Sequence, residues 1–268
     1  MPHRSLRMRT LGSLPVWASS ILLAAACAPE PAPTGAASAE STPPPAQEAA
    51  APAEPAPPPV DPAEIAARLA HGIDLSHHNG TVDWAAVAAE GHTFAFVKAS
   101  EGVDNPDASF PSHWPAMKEA GLIRGAYHFY VTEDDPAEQA KLFLGTVDLQ
   151  PGDLAPAVDV EVIGHGTQPG LADRLETFLS ILEQHYGVKP IIYTGPNFWD
   201  QHLDDTFGGH PLWIAEYGVS EPRLPIGWDE WHLWQFNGDV TVPGVEKAVD
   251  ASHVNRTGAD LAALVIPD

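Results

Sequence analysis

Two acidic residues interrupt a short apolar run near the middle of the chain. Residues 155–164 read Ala-Pro-Ala-Val-Asp-Val-Glu-Val-Ile-Gly, and the valines favour a β-strand. Side chains alternate between the faces of a strand, so Asp159 and Glu161 are predicted on one face, with Cα atoms roughly 6.5–7 Å apart. The opposite face would carry Val158, Val160 and Val162.

Two neighbouring carboxyl groups can do acid–base chemistry. Their mutual repulsion separates the two pKa values, so one group can donate a proton while the other remains an anion. Cleavage of a glycosidic bond uses such a pair. The alternative interpretation is a strand end whose acids face solvent or pair with Lys or Arg, and this segment alone favours neither.

Eight short β-like runs and the helical patterns between them indicate the elements that hold this pair. The runs cover residues 72–76, 94–99, 125–130, 157–162, 190–194, 212–215, 231–236 and 248–250. The helical patterns cover residues 84–90, 114–120, 136–143 and 171–185. After the fifth run the spacing is too short for full helical crossovers. The predicted fold class is therefore α/β, an irregular TIM-like barrel of five β/α units plus three strands.

Reactive groups of such a barrel gather at the carboxyl ends of its strands. The polar and aromatic residues there include Asp74, Ser76, His78, Lys98, Ser100, Glu101, Tyr127, His128, Phe129, Tyr193, Trp213, Glu216, Tyr217, Trp234, Gln235 and Asp250. Aromatic rings stack on pyranose faces, and acids and amides bind hydroxyl groups. The set predicts a sugar-binding cleft, with Tyr127, Tyr193, Trp213, Glu216, Trp234 and Gln235 as substrate-binding residues.

The amino terminus has the pattern of an export signal. Arg4, Arg7 and Arg9 precede an uncharged stretch over residues 11–26, which is too short for a comfortable membrane span. Residues 23–27, Leu-Ala-Ala-Ala-Cys, resemble the bacterial lipoprotein signal, in which the cysteine becomes lipidated. The alternative is an ordinary signal with an incidental cysteine. We therefore expect a signal peptide over residues 1–26 and an exported lipoprotein, anchored in the membrane through Cys27 on the periplasmic or surface face of the envelope.

Composition divides the remainder into a linker and one domain. Residues 27–66 are rich in Ala and Pro and contain no aromatic residue, which predicts a disordered linker. Residues 67–268 hold every aromatic residue except Trp17 and predict a single catalytic domain, which we expect to be monomeric. Cys27 is the only cysteine, so an intrachain disulfide is excluded. The net charge of −23 argues against nucleic acid as a partner.

Eight segments, in order, carry a resemblance to a known family. They are 72–80 (GIDLSHHNG), 96–102 (FVKASEG), 125–129 (GAYHF), 158–161 (VDVE), 192–194 (IYT), 212–215 (LWIA), 233–236 (LWQF) and 249–250 (VD). Each is short, but their order over residues 71–262 is specific. The chain resembles glycoside hydrolase family 25, the muramidase type of lysozyme that cuts bacterial peptidoglycan.

The resemblance implies a barrel of five β/α units plus three strands and a reaction without a cofactor or metal. It implies cleavage of the β-1,4 bond between N-acetylmuramic acid and N-acetylglucosamine in peptidoglycan glycan strands. Glu161 would be the proton donor. Asp159 would be its partner, either stabilising a substrate-assisted intermediate through the N-acetyl group or directing water. Tyr127 and Tyr193 match sugar contacts of the family.

Asp74 and Asp250 match the other active-site acids of the family. Closure of a barrel brings its first and last strands together, so these two acids are predicted to be neighbours at the carboxyl ends of their strands. With Asp159 and Glu161 they would form a four-acid cluster whose repulsion raises some of the pKa values. The alternative is that Asp74 only helps to close the barrel.

Three other functions are considered. A metal-dependent hydrolase is suggested by His77 and His78 beside Asp74, but adjacent strand residues face opposite ways and no His-x-His or His-Glu-x-x-His spacing occurs. A serine nucleophile lacks the Gly-x-Ser-x-Gly motif. A lipoprotein that binds cell-wall glycan without cutting it is the main alternative, although such a binder does not require Asp159 and Glu161 together.

Overall fold

The computed structural model describes residues 70–164, 169–256 and 258–268. The predicted signal peptide, Cys27 and the predicted linker lie outside the described residues. None of the helices in the described ranges is both long and apolar enough to cross a membrane.

Nine strands form one sheet in the described part of the chain. They are β1 (His71–Leu75), β2 (Phe94–Glu101), β3 (Asn105–Pro106), β4 (Ile123–Phe129), β5 (Ala157–Asp159), β6 (Ile191–Thr194), β7 (Leu212–Ala215), β8 (Leu233–Val240) and β9 (Val249–Val254). Eight of them close into a barrel because β1 pairs with both β2 and β9, while β3 pairs with β2 outside it.

Six α-helices lie in the described part of the chain, and none of them follows β7 or β8. They are α1 (Trp84–Ala89), α2 (Phe110–Glu119), α3 (Pro136–Thr146), α4 (Leu171–Tyr186), α5 (Pro196–His202) and α6 (Gly258–Ala262). Each of α1 to α5 connects two barrel strands, whereas the connections β7–β8 and β8–β9, both fully described, contain no α-helix. The predicted α/β barrel of five β/α units plus three strands is therefore confirmed.

The direction of the last strand differs from that of the other barrel strands. Adjacent barrel strands are parallel from β1 through β8, but β9 runs antiparallel to both β8 and β1. The β8–β9 connection is a short turn region without a helix, and a connection of that kind joins antiparallel neighbours. The amino end of β9 therefore lies at the barrel rim where the other strands have their carboxyl ends.

Local sequence explains where the helices begin. Asp83 accepts hydrogen bonds from the first turn of α1 (3.1 and 3.2 Å), and Asp135 does the same for α3 (2.9 and 3.0 Å). Helix α2 begins at Phe110, four residues before the predicted start, because Pro111 suits the first turn of a helix.

Alternation along the strands separates an inner core from an outer one. Rings such as Phe94, Phe96 and Trp213 fill the barrel, while side chains such as Val97 and Val158 pack in the layer under the helices. Gly72 and Gly125 leave the space for the phenylalanine rings, since a Cβ at either position would lie 2.3 Å from a ring atom. Above this filled interior, at the rim, lies open space.

Candidate active site

A cleft with a volume of about 350 Å³ opens at this rim. Its lining consists of Asp74, Ser76, His78, Lys98, Glu101, Tyr127, Phe129, Asp159, Glu161, Tyr193, Trp213, Gln235 and Asp250. The structure thus brings together all four predicted catalytic acids and four of the six predicted substrate-binding residues, namely Tyr127, Tyr193, Trp213 and Gln235.

Asp159 and Glu161 both face the cleft, but in different settings. Asp159 is the last residue of β5 and is buried, whereas Glu161 follows the strand and is exposed at the rim. Val158 and Val160 are buried on the opposite side, as predicted. Val162 is 48 % exposed, against the prediction, because the strand ends at Asp159 and its alternation stops there.

Ionisation of the Asp159 carboxyl group is energetically costly. Burial, followed by the charges of Glu161 and Asp74, raises its pKa well above the ordinary range. One of its oxygens, Oδ1, is buried without a hydrogen-bond partner among the described residues. A buried acceptor in this state is ready to take a hydrogen bond from a bound molecule.

Glu161 holds its proton more tightly than an ordinary glutamic acid. Partial loss of solvent at the cleft rim, together with the charge of Asp250, raises its pKa. The nearby Lys98 ammonium acts in the opposite direction on both Glu161 and Asp159. An exposed carboxyl group with a raised pKa suits a general acid.

Asp74 and Asp250 stand directly opposite each other on β1 and β9 and share a side-chain hydrogen bond. Their predicted proximity is confirmed, with one correction. Asp250 lies at the amino end of its strand, because β9 is antiparallel. Burial and the charge of Asp250 raise the pKa of Asp74 well above its usual range, and burial raises the pKa of Asp250 to about 6.

Gln235 connects Asp74 to two tyrosines. Its Nε2 donates to both carboxyl oxygens of Asp74, at 2.9 and 3.0 Å, and its Oε1 accepts from the Tyr193 hydroxyl at 2.9 Å and from the Tyr217 hydroxyl. Burial raises the pKa of Tyr193, so this hydroxyl remains a donor. The network holds the floor of the cleft rigidly.

Trp213 also belongs to this floor. Its indole Nε1 donates to Ser252 Oγ at 3.0 Å, and its ring stacks on Phe96 with centroids 4.5 Å apart. The side chain is almost fully buried, so it shapes the base of the cleft.

Lys98 is a cleft residue that the sequence-based site omitted. Its Nζ donates to Glu101 Oε2 at 2.5 Å and lies 4.8 Å from the centre of the Phe129 ring. Glu101, Ser76, His78 and Phe129 were likewise left out of the predicted site. All five stand at strand ends predicted from the sequence, which was the available signal, but strand position alone does not say which of them face inward. In the structure Lys98 lies inside β2, and His78 lies in the short 3-10 helix after β1.

Glu216 and Trp234 lie outside the cleft lining, contrary to the prediction. Leu233 and Gln235 face the barrel interior, so alternation turns Trp234 outward, where its Nε1 donates to the Glu216 carbonyl oxygen at 2.8 Å. The Glu216 carboxylate accepts from the Arg223 backbone N–H at 2.6 Å. Both residues support the β7–β8 connection.

His77 and His78 do not face opposite ways, contrary to the prediction. They lie in a short 3-10 helix after β1 (His77–Asn79), where no strand alternation applies, and their ring centroids are 3.8 Å apart. His78 lines the cleft, whereas His77 Nδ1 lies 2.7 Å from Asp107 Oδ2. Within the described ranges, no group of three or more His, Cys, Asp or Glu residues has the arrangement of a metal site.

Comparison with known proteins agrees with this geometry. The family model of glycosyl hydrolases family 25 matches residues 73–245. YegX of Escherichia coli strain K12 is 36% identical over 205 residues, which cover 75% of each chain. Lysozyme M1 of Streptomyces globisporus is 32% identical over 206 residues, 72% of this chain and 70% of the relative. The crystal structure of a lysozyme from Streptomyces coelicolor matches with a TM-score of 0.70 at 29% identity, over 73% of this chain and 96% of that chain.

Proposed function

The chain belongs to glycosyl hydrolase family 25 and is a glycoside hydrolase, and we propose that it is a muramidase. It would cleave the β-1,4 bond between N-acetylmuramic acid and N-acetylglucosamine in peptidoglycan. The observation that carries this proposal is the pairing of an exposed Glu161 with a buried Asp159 in one sugar-sized cleft.

Glu161 is the proposed proton donor to the leaving glycosidic oxygen. Its raised pKa means that the carboxyl group keeps its proton to a higher pH than an ordinary glutamic acid, and its exposed position lets a glycosidic oxygen approach. General acid catalysis of this kind works best when the pKa of the donor is near the working pH.

Asp159 is proposed to act through the acetamido group of the bound sugar. Its unpartnered Oδ1 would accept the acetamide N–H, and its negative charge would stabilise the positive intermediate formed when the acetamide oxygen attacks the anomeric carbon. The positive charge that develops on the sugar lowers the pKa of Asp159 again and favours its anionic form. Direction of a water molecule is the alternative role for this carboxylate.

Asp74 and Asp250 are proposed to complete the active site. Asp74 is buried and bound to Gln235, whereas Asp250 is only partly buried and can meet a sugar hydroxyl directly. Tyr127 and Trp213 contribute apolar surface to the same cavity. Four acids around one cleft support an activity optimum on the acidic side of neutral, with apparent pKa values that belong to the coupled cluster.

Digestion of purified peptidoglycan, with the new ends identified by mass spectrometry, tests the bond specificity. N-acetylmuramic acid should appear at the new reducing ends. N-acetylglucosamine at those ends would refute the muramidase proposal, and binding of glycan without any release of reducing ends would support the non-catalytic alternative.

Replacement of the acids tests the roles. Glu161→Gln keeps the shape but removes the transferable proton, so the rate should fall by roughly 10²–10⁴-fold. Asp159→Asn should cause a loss of similar size. Glu216→Gln is the matched control, because this carboxylate lies outside the cleft lining and its loss should leave kcat/KM unchanged. Activity within tenfold of wild type in Glu161→Gln would remove that residue from the mechanism.

We also propose that this catalytic domain, residues 67–268, follows a signal peptide (1–26) and a linker (27–66) and is tethered outside the cytoplasmic membrane through a lipid on Cys27. Peptidoglycan lies outside that membrane, which supports export. The wild type should fractionate with membranes, and Cys27→Ser should be released in soluble form with unchanged activity. Membrane association that survives Cys27→Ser would contradict the anchor.

A further inference from the structure

One side of the barrel wall carries aromatic side chains instead of a helix. The connections after β7 and β8 contain no α-helix in the structure as described, so neither covers the outer face of β8 and β9. His253 lies at the centre of this face. Its ring centroid is 5.5 Å from that of Trp231, 5.2 Å from Trp234 and 5.4 Å from Phe236.

A groove of about 680 Å³ runs over this cluster. We call it the outer groove and define it by Tyr217, Val219, Trp234, Phe236, Asn237 and His253. Tyr217 and Val219 are 51 % and 42 % exposed, a large exposure for apolar side chains that are adjacent in one groove. Exposed apolar patches of this kind mark binding surfaces.

Tyr217 joins the outer groove to the catalytic cleft. Its hydroxyl donates to Gln235, which also binds Asp74. A Cβ on Gly238 would lie 3.3 Å from the Tyr217 ring and 3.1 Å from the Asp250 carboxylate, so the ring and this cleft acid are close neighbours. Tyr217 therefore lines the outer groove and contacts Gln235, a residue of the cleft lining.

The chemistry of the outer groove selects a neutral or weakly charged ligand. The lining offers aromatic faces, an asparagine amide and imidazole rings, and it includes no Lys, Arg, Asp or Glu. Burial and the neighbouring His253 lower the pKa of His71 at the groove edge, which favours the neutral imidazole. A net charge of −23 disfavours an anionic membrane as the partner. Pyranose rings with acetamido groups match both the aromatic and the amide surfaces.

We propose that the outer groove binds a second stretch of the same glycan strand whose scissile bond lies in the cleft. The strand would pass over the exposed Tyr217 ring, and N-acetylated pyranose units would pack on this ring and on the half-buried Phe236. The groove would then strengthen binding of long strands and contribute nothing to short oligosaccharides that fill the cleft alone. This inference rests on the muramidase proposal for its choice of ligand.

The test uses the full chain and compares two substrates. One is a tetrasaccharide without stem peptides, and the other is long glycan strands that are not cross-linked. Val219→Asp places a charge in the outer groove at an exposed position, where folding tolerates it. It should raise KM for long strands about tenfold, the size of one lost aromatic or apolar contact, with kcat unchanged and KM for the tetrasaccharide unchanged. Phe236→Ala should act in the same direction.

Ile226→Asp is the matched control. Ile226 is 52 % exposed in the same β7–β8 connection but is absent from the outer groove, so its KM values should equal those of wild type. An unchanged KM for long strands in Val219→Asp would overturn the inference, as would an equal rise in KM for both substrates.

Two further readouts separate this inference from its alternatives. If wild type releases no reducing ends from either substrate, the muramidase proposal fails by itself, and calorimetric binding of long strands to wild type and Val219→Asp still decides the groove. Analytical ultracentrifugation tests for a dimer. A wild-type dimer that Val219→Asp dissociates without any change in glycan binding would assign this face to a second copy of the chain and overturn the proposal.

Discussion

The four acids of the cleft differ because each has different neighbours. Asp74 is buried against Asp250 and Gln235, Asp159 is buried with one free oxygen, and Glu161 stands at the rim. Among the described residues that line the cleft, Lys98 is the only Lys or Arg. Its charge therefore sets how much of the repulsion among these acids remains.

Lys98→Met should shift the pH profile. Loss of the ammonium removes the one charge that lowers the pKa values of Asp159 and Glu161 and leaves Glu101 unpaired beside them. Both limbs of the kcat/KM profile should move to higher pH by about one unit. The measurement is kcat/KM from about pH 3 to pH 9 on soluble glycan.

Lys141→Met is the control for this shift. Lys141 pairs with Glu138 on the exposed surface of α3, so the same change of charge there should leave the profile in place. A wild-type profile in Lys98→Met would show that Lys98 has only a structural role.

At the scale of the elements, the barrel depends on strand positions without side chains. Gly125 on β4 and Gly72 on β1 face the rings of Phe96 and Phe94, which fill the space that a Cβ would need. The strands can approach the inner core closely because these two residues are glycines. The floor of the cleft, with Trp213 stacked on Phe96, depends on that packing.

Gly125→Ala should therefore destabilise the protein. The added methyl group would lie 2.3 Å from the Phe96 ring, and overpacking of a core costs roughly 1–3 kcal/mol. Each kcal/mol lowers Tm by about 2–4 °C in a domain of this size. Gly145→Ala in α3 has open space around its Cβ and should leave Tm unchanged or raise it. Equal Tm values for both variants would contradict this packing argument.

At the scale of the whole molecule, buried acids and buried histidines act on stability in opposite directions. Burial raises the pKa of Asp250 to about 6, so its contribution to stability is present below its unfolded pKa of about 3.9 and is lost as the pH rises through 6. Burial lowers the pKa of His128 to about 4, so its contribution is present above about 6.5 and is lost as the pH falls through 4. The two contributions therefore oppose each other, and between about pH 4 and pH 6.5 each of them is only partly present.

Asp250→Asn isolates the acidic side of this balance. The measured quantity is the free energy of unfolding of the variant minus that of wild type. This difference should be larger at pH 7 than at pH 4 by roughly 1–3 kcal/mol, because only wild type must lose the tightly held Asp250 proton between these pH values. Urea unfolding of both proteins at the two pH values measures the difference. Asp239→Asn, an exposed acid on β8, should show no such dependence, and a pH-independent difference for Asp250→Asn would refute the linkage.

The order of residues within short segments was sufficient to predict the fold class and the position of the Asp159–Glu161 pair. The spacing of the β-like runs predicts five β/α units followed by three strands, since a connection too short for a helix cannot make a parallel crossover. The two-residue spacing of Asp159 and Glu161 places both acids on the cleft side. These properties depend on neighbours in the chain, which the sequence shows directly.

Contacts between distant residues decided the rest. The direction of β9 placed Asp250 opposite Asp74 at the amino end of its strand, and the end of β5 at Asp159 left Val162 exposed. Alternation predicts that Gln235 and Trp234 face opposite ways, but only packing against Asp74 and Tyr193 turns Gln235 inward and Trp234 outward. Which face of a strand points into the barrel depends on the packing free energy of the whole core. That free energy comes from contacts between many distant segments, so it cannot be read from any one of them.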